Sequence, residues 1–195
     1  LLDEPEGLSP ALIEDLRVVE RQARRIREIT GSLLTLGRPA SGKRVVGDLA
    51  EVAQAALDLV RRESEAAGVT LVVDLQDAPL ACDPAALEQV AYNLLRNAVQ
   101  AAPGGTVHVR TGPEGLVVED SGAGIPAEVL PRLFDPFFTT KPVGEGTGLG
   151  LAVAHGIVTD HNGRIYAENR REGGARFVVQ IGVVQGSEHG PHPRD

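Results

Sequence analysis

The chain has 195 residues, of which 42% are hydrophobic, 24% are charged and only 3% are aromatic. These proportions are typical of one folded domain with an appendage, built around an aliphatic core. No apolar run approaches the roughly 20 residues that a membrane-spanning helix needs. The net charge of −8 argues against a nucleic-acid-binding protein, because binding to phosphate backbones requires a basic surface.

The sequence contains one cysteine, Cys82, so an intrachain disulfide is excluded. We expect Cys82 to be a small buried hydrophobe in a protein of a reducing compartment, the cytoplasm. The chain contains no methionine and begins at Leu1, so we expect it to be a piece of a longer protein. Any membrane attachment would then come from upstream segments.

A long helix is predicted at the start of the chain. Ser9 and Pro10 form an N-cap and first-turn signal, and the helix is expected to end near Gly37. Apolar residues recur along it with a period of seven, at Leu12, Leu16, Val19, Ala23, Ile26 and Leu33. A seam of this kind favours packing in a helical bundle or coiled coil. The alternative is that the helix lies against the globular domain.

The rest of the chain alternates between helix and strand signals after a linker at 38–43. Helices are predicted at 48–67, 83–102, 127–134 and 147–160, and strands at 45–46, 69–75, 80–82, 106–111, 116–119, 163–169 and 175–184. This order predicts an α/β fold, a two-layer sandwich of a mixed, mostly antiparallel sheet with helices on one face, preceded by one long helix. The expected domains are 1–39, 40–185 and a disordered tail at 186–195.

Two asparagines share one face of the predicted helix at 83–102. Asn93 and Asn97 are four residues apart, so their side chains point the same way. Amide oxygens are hard, neutral ligands that suit magnesium. The pair taken alone is more often two solvated side chains.

A carboxylate stands at the end of the predicted strand 116–119. Asp120 can accept a hydrogen bond from an exocyclic amine such as that of adenine. Gly122 and Gly124 follow at a spacing of two and permit close approach of the backbone to a flat ring. An ordinary Asp-Ser-Gly turn is the alternative, but a turn alone does not account for the second glycine and the following Ile125.

A glycine-rich loop precedes the predicted helix at 147–160. Gly146, Gly148 and Gly150 leave backbone N–H groups open to phosphate oxygens, and the Thr147 hydroxyl adds a donor. The spacing matches neither a P-loop nor a dinucleotide fingerprint. The preceding aromatic segment, which ends with Lys141, is typical of a lid whose lysine reaches phosphate, although Phe134, Phe137 and Phe138 are equally compatible with core packing.

The order of these motifs resembles the catalytic ATP-binding domain of sensor histidine kinases, particularly the nitrogen-sensor-like branch. The resemblance covers roughly residues 43–184 and is most specific in the Phe-Phe-Thr-Thr-Lys segment that ends at Lys141. It implies the Bergerat-type fold shared with DNA gyrase B, the Hsp90 chaperones and MutL. The helix at 9–37 is similar to the second helix of the kinase dimerisation and phosphotransfer hairpin.

The resemblance also implies a role for each site residue. Asn97 would ligate magnesium with Asn93 beside it, and Asp120 would bond the adenine amine. The remaining residues of the implied ATP site are Gly122, Gly124, Ile125, Lys141, Gly146, Thr147, Gly148, Leu149 and Gly150. The gyrase-like ATPases carry a glutamate where this chain has Asn93, which favours a kinase. One departure is the segment Gly174–Phe177, where Ala175 replaces a hydroxyl residue of the family.

The family phosphorylates a histidine on the first helix of its dimerisation domain. The histidines of this sequence are His108, His155, His161, His189 and His192, and none lies on a predicted bundle helix. The resemblance therefore predicts an enzyme fragment that binds ATP but cannot phosphorylate itself. It implies a response-regulator partner and a homodimer. A gyrase- or Hsp90-type ATPase, an anti-sigma-type serine kinase and a non-enzymatic nucleotide-binding scaffold remain as alternatives.

Overall fold

The computed structural model describes residues 9–36, 44–142 and 146–182. Over these ranges the helices are α1 (Pro10–Leu36), α2 (Leu49–Ala66), α3 (Pro84–Ala101) and α4 (Gly150–Asp160). The strands are β1 (Val45–Asp48), β2 (Thr70–Leu75), β3 (Pro79–Cys82), β4 (Thr106–Gly112), β5 (Gly115–Asp120), β6 (Arg164–Asn169) and β7 (Ala175–Gln180). The predicted tail at 186–195 and linker at 38–43 lie outside the described residues.

The main sheet has five strands in the order β2-β4-β5-β7-β6. Strands β2 and β4 run parallel, and the other neighbouring pairs are antiparallel. Strands β1 and β3 form a separate antiparallel pair. The predicted mixed, mostly antiparallel sheet is therefore confirmed.

Helices α2, α3 and α4 cover one face of the sheet. The buried cluster between the two layers is almost wholly aliphatic, with Leu94, Leu95 and Val109 fully buried. Burial of such side chains contributes about 1.5–3 kcal/mol each relative to exposure. Cys82 lies in this cluster with no exposed surface, as predicted.

Asp48 and Asp83, the residues at which two of the predicted helices begin, cap α2 and α3. The Asp48 carboxylate accepts a hydrogen bond from Ala50 N at 2.7 Å, and the Asp83 carboxylate accepts one from Ala86 N at 3.3 Å. Each bond satisfies a backbone donor that the first helical turn leaves without an intrahelical partner. Asp48 also accepts from Ala78 N at 3.0 Å, which ties the start of α2 to the strand β3 segment.

A histidine joins the start of α3 to the end of α4. His161, at the end of α4, accepts a hydrogen bond at Nε2 from Asp83 N at 3.0 Å, while its Nδ1 lies 2.8 Å from Ile157 O. This arrangement requires a neutral ring with the proton on Nδ1. The contact fixes the two helices that border the candidate site.

Two predicted helices differ from the structure. Helix α4 begins at Gly150 and not at Thr147, because the preceding glycines adopt a loop conformation. The predicted helix at 127–134 is reduced to one 3₁₀ turn at Leu130–Arg132. Pro131 lacks the N–H group that would bond Ala127 O in an α-helix over 127–134.

Helix α1 is confirmed as a helix, and Ser9 caps it by accepting a hydrogen bond from Leu12 N at 3.3 Å. It touches α4, yet its apolar seam is uncovered, with Val19 and Ile26 exposed by 64% and 61%. The bundle assignment of this helix stays a prediction. No helix among the described residues combines the length and the hydrophobicity required to cross a bilayer.

Candidate functional site

A cavity of about 340 Å³ opens between α3, the loop after β5 and the segment that precedes α4. All four sequence motifs contribute to it. The predicted site residues in its wall are Asn93, Asn97, Asp120, Gly124, Ile125, Lys141, Gly146, Thr147, Gly148 and Gly150. The other two predicted residues lie behind the wall: Gly122 next to Asp120, and Leu149 with no exposed surface.

The two asparagines of α3 differ in their contacts. Asn93 donates from Nδ2 to Gly150 O at 2.9 Å and accepts at Oδ1 from Gln89 at 3.0 Å. Asn93 therefore holds the first residue of α4. Asn97, one turn later, lines the cavity, and its side chain makes no hydrogen bond within the described residues. Its amide oxygen is the hard, neutral ligand that magnesium prefers, so the residues present fit such an ion.

Asp120 is the last residue of β5 and is only 2% exposed. Its Oδ1 accepts hydrogen bonds from Gly122 N at 2.8 Å and from Ala175 N at 3.2 Å. These bonds fix the carboxylate, and Oδ2 accepts none from the described residues. A buried carboxylate oxygen in a cavity wall is an acceptor for a ligand amine.

The glycines around Asp120 are required by close approach of the backbone. A Cβ on Gly122 would lie 2.3 Å from Ala101 O, and a Cβ on Gly174 would lie 1.9 Å from Asp120 O. Any side chain at these positions would displace the end of β5. Gly122 belongs to a motif predicted from the sequence, whereas no role at the site was predicted for Gly174.

Gly124 and Ile125 continue the loop along the cavity wall. Gly124 has a φ of +78°, a backbone conformation that favours glycine. Ile125 packs partly against the core. Its backbone N–H and C=O both bond the side chain of Asn169, each at 2.7 Å. The base of this loop is thus held from the β6–β7 hairpin.

The glycine loop before α4 packs tightly on the aromatic segment. Gly148 has a φ of +66°, and its carbonyl accepts a hydrogen bond from Phe137 N at 2.9 Å. A Cβ on Gly148 would lie 2.4 Å from the Phe137 carbonyl carbon. Thr147 Oγ1 accepts from Leu149 N at 3.4 Å. The first N–H groups of α4, which have no intrahelical partner, therefore start beside the cavity.

The three phenylalanines have different environments. Phe134 packs against the core, with its ring centroid 5.5 Å from that of His155. Phe138 lines the cavity and stacks under the Arg132 guanidinium at 4.6 Å. Phe137 is 65% exposed and has a φ of +65°. Phe134 therefore packs in the core, whereas Phe138 lines the cavity and Phe137 is exposed to solvent.

Lys141 reaches across the cavity to α3, where its Nζ donates a hydrogen bond to Gln100. Gln100 in turn donates to Glu63 of α2 at 2.9 Å, and Glu63 lies 3.7 Å from Arg96. The backbone N–H of Lys141 donates to Thr139 Oγ1 at 3.1 Å. Because Gln100 lies three residues after Asn97 on α3, this bond places the lysine at the Asn97 end of the cavity.

The two ends of the cavity differ in chemistry. The end at Asp120 combines one carboxylate with apolar walls, which suits a flat heterocycle with an amino group. The end at Asn97 gathers amide, hydroxyl and ammonium groups with the start of a helix, which suits phosphates. The apolar wall residues are Ile125, Val129, Leu133, Leu151 and Phe177.

The family described as "Histidine kinase-, DNA gyrase B-, and HSP90-like ATPase" matches residues 82–185, just over half of the chain. The chain belongs to this family. The sensor histidine kinase ZraS of Klebsiella oxytoca is 40% identical over 174 residues, which are 85% of this chain and 37% of ZraS. The chain thus spans well under half the length of this relative. The sensor kinase CckA of Brucella abortus is 34% identical over 85% of the chain and 20% of CckA.

Solved structures of this family have the same fold. The histidine kinase AdeS of Acinetobacter baumannii superposes with a TM-score of 0.73 at 25% identity, over 91% of this chain and 86% of that chain. The catalytic domain of the histidine kinase ThkA has a TM-score of 0.64 at 29% identity, over 71% and 94%. The α/β fold and the ATP-binding domain of a sensor histidine kinase are therefore confirmed.

Several residues of the cavity were not found from the sequence. Arg96 and Gln100 line it together with Thr139 and Thr140. Gln100 had a usable signal, because it lies seven residues after Asn93 and three after Asn97 on the same helical face. Asn169 had none, because it contacts the loop only through a separation of 44 residues.

Proposed function

We propose that this chain binds ATP with magnesium and supplies the γ-phosphate to a histidine of a dimerisation and phosphotransfer hairpin. The observation that carries the proposal is the single cavity into which all four motifs converge, in a chain of the histidine kinase family. The phosphoryl group would then pass to an aspartate of a response regulator. The proposed location is the cytoplasm, where ATP and such regulators are found.

The Asp120 end would bind adenine. The carboxylate is fixed through Oδ1, so Oδ2 is free to accept a hydrogen bond from the exocyclic amine. Gly124 and Ile125 would lie along the ring, with Phe177 on the apolar wall. Because the acceptor is buried and oriented beforehand, it discriminates against bases that present a carbonyl there.

The Asn97 end would hold the triphosphate. Asn97 would ligate magnesium, which neutralises phosphate charge when bound, and Asn93 would support it by fixing the start of α4. The N–H groups between Gly146 and Gly150 and the Thr147 hydroxyl would donate to phosphate oxygens. Lys141 would exchange its bond to Gln100 for one to phosphate.

The cavity favours phosphoryl transfer over rapid hydrolysis. Among the described residues of its wall, Asp120 is the sole carboxylate, and it lies at the base end. The position from which a carboxylate would activate water is Asn93, whose amide is occupied by Gly150 and Gln89. Catalysis would therefore depend on positioning and electrostatic stabilisation, with the acceptor histidine supplied from another segment.

Two measurements on the full chain test this function. Calorimetry should detect ATP binding that weakens at least about tenfold when EDTA removes magnesium. Incubation with γ-labelled ATP and a separate histidine-bearing hairpin should label the hairpin with acid-labile phosphate. Magnesium-independent ATP binding, or turnover that the hairpin leaves unchanged and unlabelled, would contradict the proposal.

Asp120→Asn tests the base end directly. The amide keeps one acceptor oxygen but presents N–H₂ to the cavity or to the loop, so ATP affinity should fall about tenfold or more. Affinity for inorganic triphosphate should stay within about twofold. Asp74→Asn, an exposed aspartate on β2, is the control. Equal ATP affinity of Asp120→Asn and wild type would refute the assignment.

A further inference from the structure

We propose that Asn169 is a positioning residue for base recognition, acting through the backbone of Ile125. Asn169 ends β6 and lies in none of the sequence motifs. This role depends on the proposed adenine site, because the loop that Asn169 holds forms one wall of that site.

The contact between Asn169 and Ile125 is a two-point clamp. Ile125 N donates to Asn169 Oδ1 at 2.7 Å, and Asn169 Nδ2 donates to Ile125 O at 2.7 Å. A side-chain amide has one acceptor and two donor hydrogens, so it can satisfy both backbone groups of one residue. Two such bonds fix the orientation of the Ile125 backbone as well as its distance from β6.

The side chain of Asn169 also lies close to Gly124. A Cβ on Gly124 would lie 2.8 Å from Asn169 Oδ1. Gly124 and Ile125 both line the cavity, whereas Asn169 is absent from its wall. The Asn169 side chain therefore fixes the position of the Gly124–Ile125 backbone in the cavity wall, although Asn169 itself does not line the cavity.

The neighbouring residue anchors the carboxylate side of the same wall. Arg170 Nη1 donates to Asp120 O at 3.0 Å. Ala175 N, on the first residue of β7 and paired with Asn169 across the hairpin, donates to Asp120 Oδ1 at 3.2 Å. The hairpin thus fixes both the acceptor for the amine and the strip of backbone that faces the ring, which together define the base pocket.

Selectivity for the base separates this role from a merely structural one. A contact that only stabilises the fold would, when lost, weaken all nucleotides alike. Loss of the clamp should instead loosen the base end and leave the phosphate end, built on α3 and α4, intact. The preference for ATP over inosine triphosphate, which carries a carbonyl in place of the amine, reports this difference.

The test compares Asn169→Ala, Asn169→Asp and wild type by calorimetry with both nucleotides and magnesium. Asn169→Ala should raise the Kd for ATP about five- to tenfold and change the Kd for inosine triphosphate less than about twofold. Asn169→Asp keeps the acceptor for Ile125 N but loses the donor, so its preference should be intermediate. Arg171→Ala, exposed on the same hairpin and outside the clamp, should match wild type.

A second measurement needs no nucleotide. Hydrogen exchange of the Ile125 amide, followed by NMR, should quicken at least about tenfold in Asn169→Ala and remain unchanged in Arg171→Ala. Unchanged exchange, or an equal loss of affinity for both nucleotides, would overturn the positioning role. A wild-type chain that does not bind ATP would instead refute the proposed function, and this role with it.

Discussion

Gly173 and Gly174 are adjacent, and both have a positive φ, of +93° and +85°. Their surroundings differ. A Cβ on Gly173 would meet no atom within 4 Å, whereas one on Gly174 would lie 1.9 Å from Asp120 O. At the scale of single residues, this pair separates the cost of a backbone conformation from the cost of a close approach.

We predict a large difference between Gly173→Ala and Gly174→Ala. The first should lower the free energy of unfolding by about 1–2 kcal/mol, the cost of a positive φ for an L-residue. The second should lower it by at least about 2 kcal/mol more and weaken ATP binding, because Asp120 must move. Urea unfolding and calorimetry measure both effects. Similar unfolding energies for the two variants would contradict the packing described for Gly174.

Cys82 gives a prediction about pH. Burial, and secondarily the charge of Asp83, raises the pKa of the Cys82 thiol above its ordinary value of 9.0. The folded state therefore keeps its proton when the unfolded chain has begun to lose it. Stability from this group is complete below the ordinary pKa and is lost as the pH rises towards and through the raised pKa.

We therefore expect the difference in unfolding free energy between wild type and Cys82→Ala to shrink above about pH 9. At pH 7 the difference should be constant and should report only the cavity that the substitution leaves. Urea unfolding from pH 7 to 10 measures it. Parallel pH profiles of the two proteins would show that the thiol does not contribute.

At the scale of elements, the contact between α3 and α4 determines the phosphate end. His161 joins the end of α4 to the start of α3, and Asn93 holds Gly150 at the start of α4. Asn97 lies one turn along α3 from Asn93 but faces the cavity without a partner among the described residues. The sequence paired these asparagines as metal-site residues, and their contacts separate them into a support and a candidate ligand.

Matched alanine variants should reveal this division. Asn93→Ala removes the side-chain donor to Gly150 O and should lower the unfolding free energy by about 1–2 kcal/mol. Asn97→Ala should leave stability within about 0.5 kcal/mol of wild type but abolish the magnesium dependence of ATP binding. Thermal unfolding and calorimetry distinguish the two. Magnesium-dependent binding retained by Asn97→Ala would exclude this residue as the ligand.

At the scale of the whole molecule, α1 exposes an apolar seam. Leu12, Leu16, Val19 and Ile26 are exposed by 40–64% on one face of the helix. Uncovered apolar stripes of this period are typical of helices that pair with other helices. The homodimer expected from the sequence would use this seam, while the cavity lies on the α/β part of the chain.

We predict that Val19→Glu combined with Ile26→Glu shifts the chain from dimer to monomer. Charges in a helical seam are buried on pairing and cost several kcal/mol. Analytical ultracentrifugation should detect the change, and the Kd for ATP should remain within about twofold. Arg17→Glu, on the opposite face of α1, should remain dimeric. A wild type that is monomeric at all concentrations would contradict pairing through α1.

Local signals in the sequence predicted most of the fold. The caps at Asp48 and Asp83, the period of α1 and the β-branched runs of the strands specify conformation within a few residues. The main error, the start of α4, arose where several glycines precede the helix. Glycine has no side chain to favour either state, so packing on Phe137 decides where the helix begins.

The sequence by itself determined the order of elements, the aliphatic core and the four motifs of the cavity, because each depends on residues that are neighbours in the chain. The tertiary structure alone decided which groups meet: Asn93 with Gly150 across 57 residues, Asn169 with Ile125 across 44 and Lys141 with Gln100 across 41. These pairs depend on how the helical layer and the hairpin stack around the sheet. No periodicity or spacing encodes that stacking, and it converts four separate motifs into one cavity.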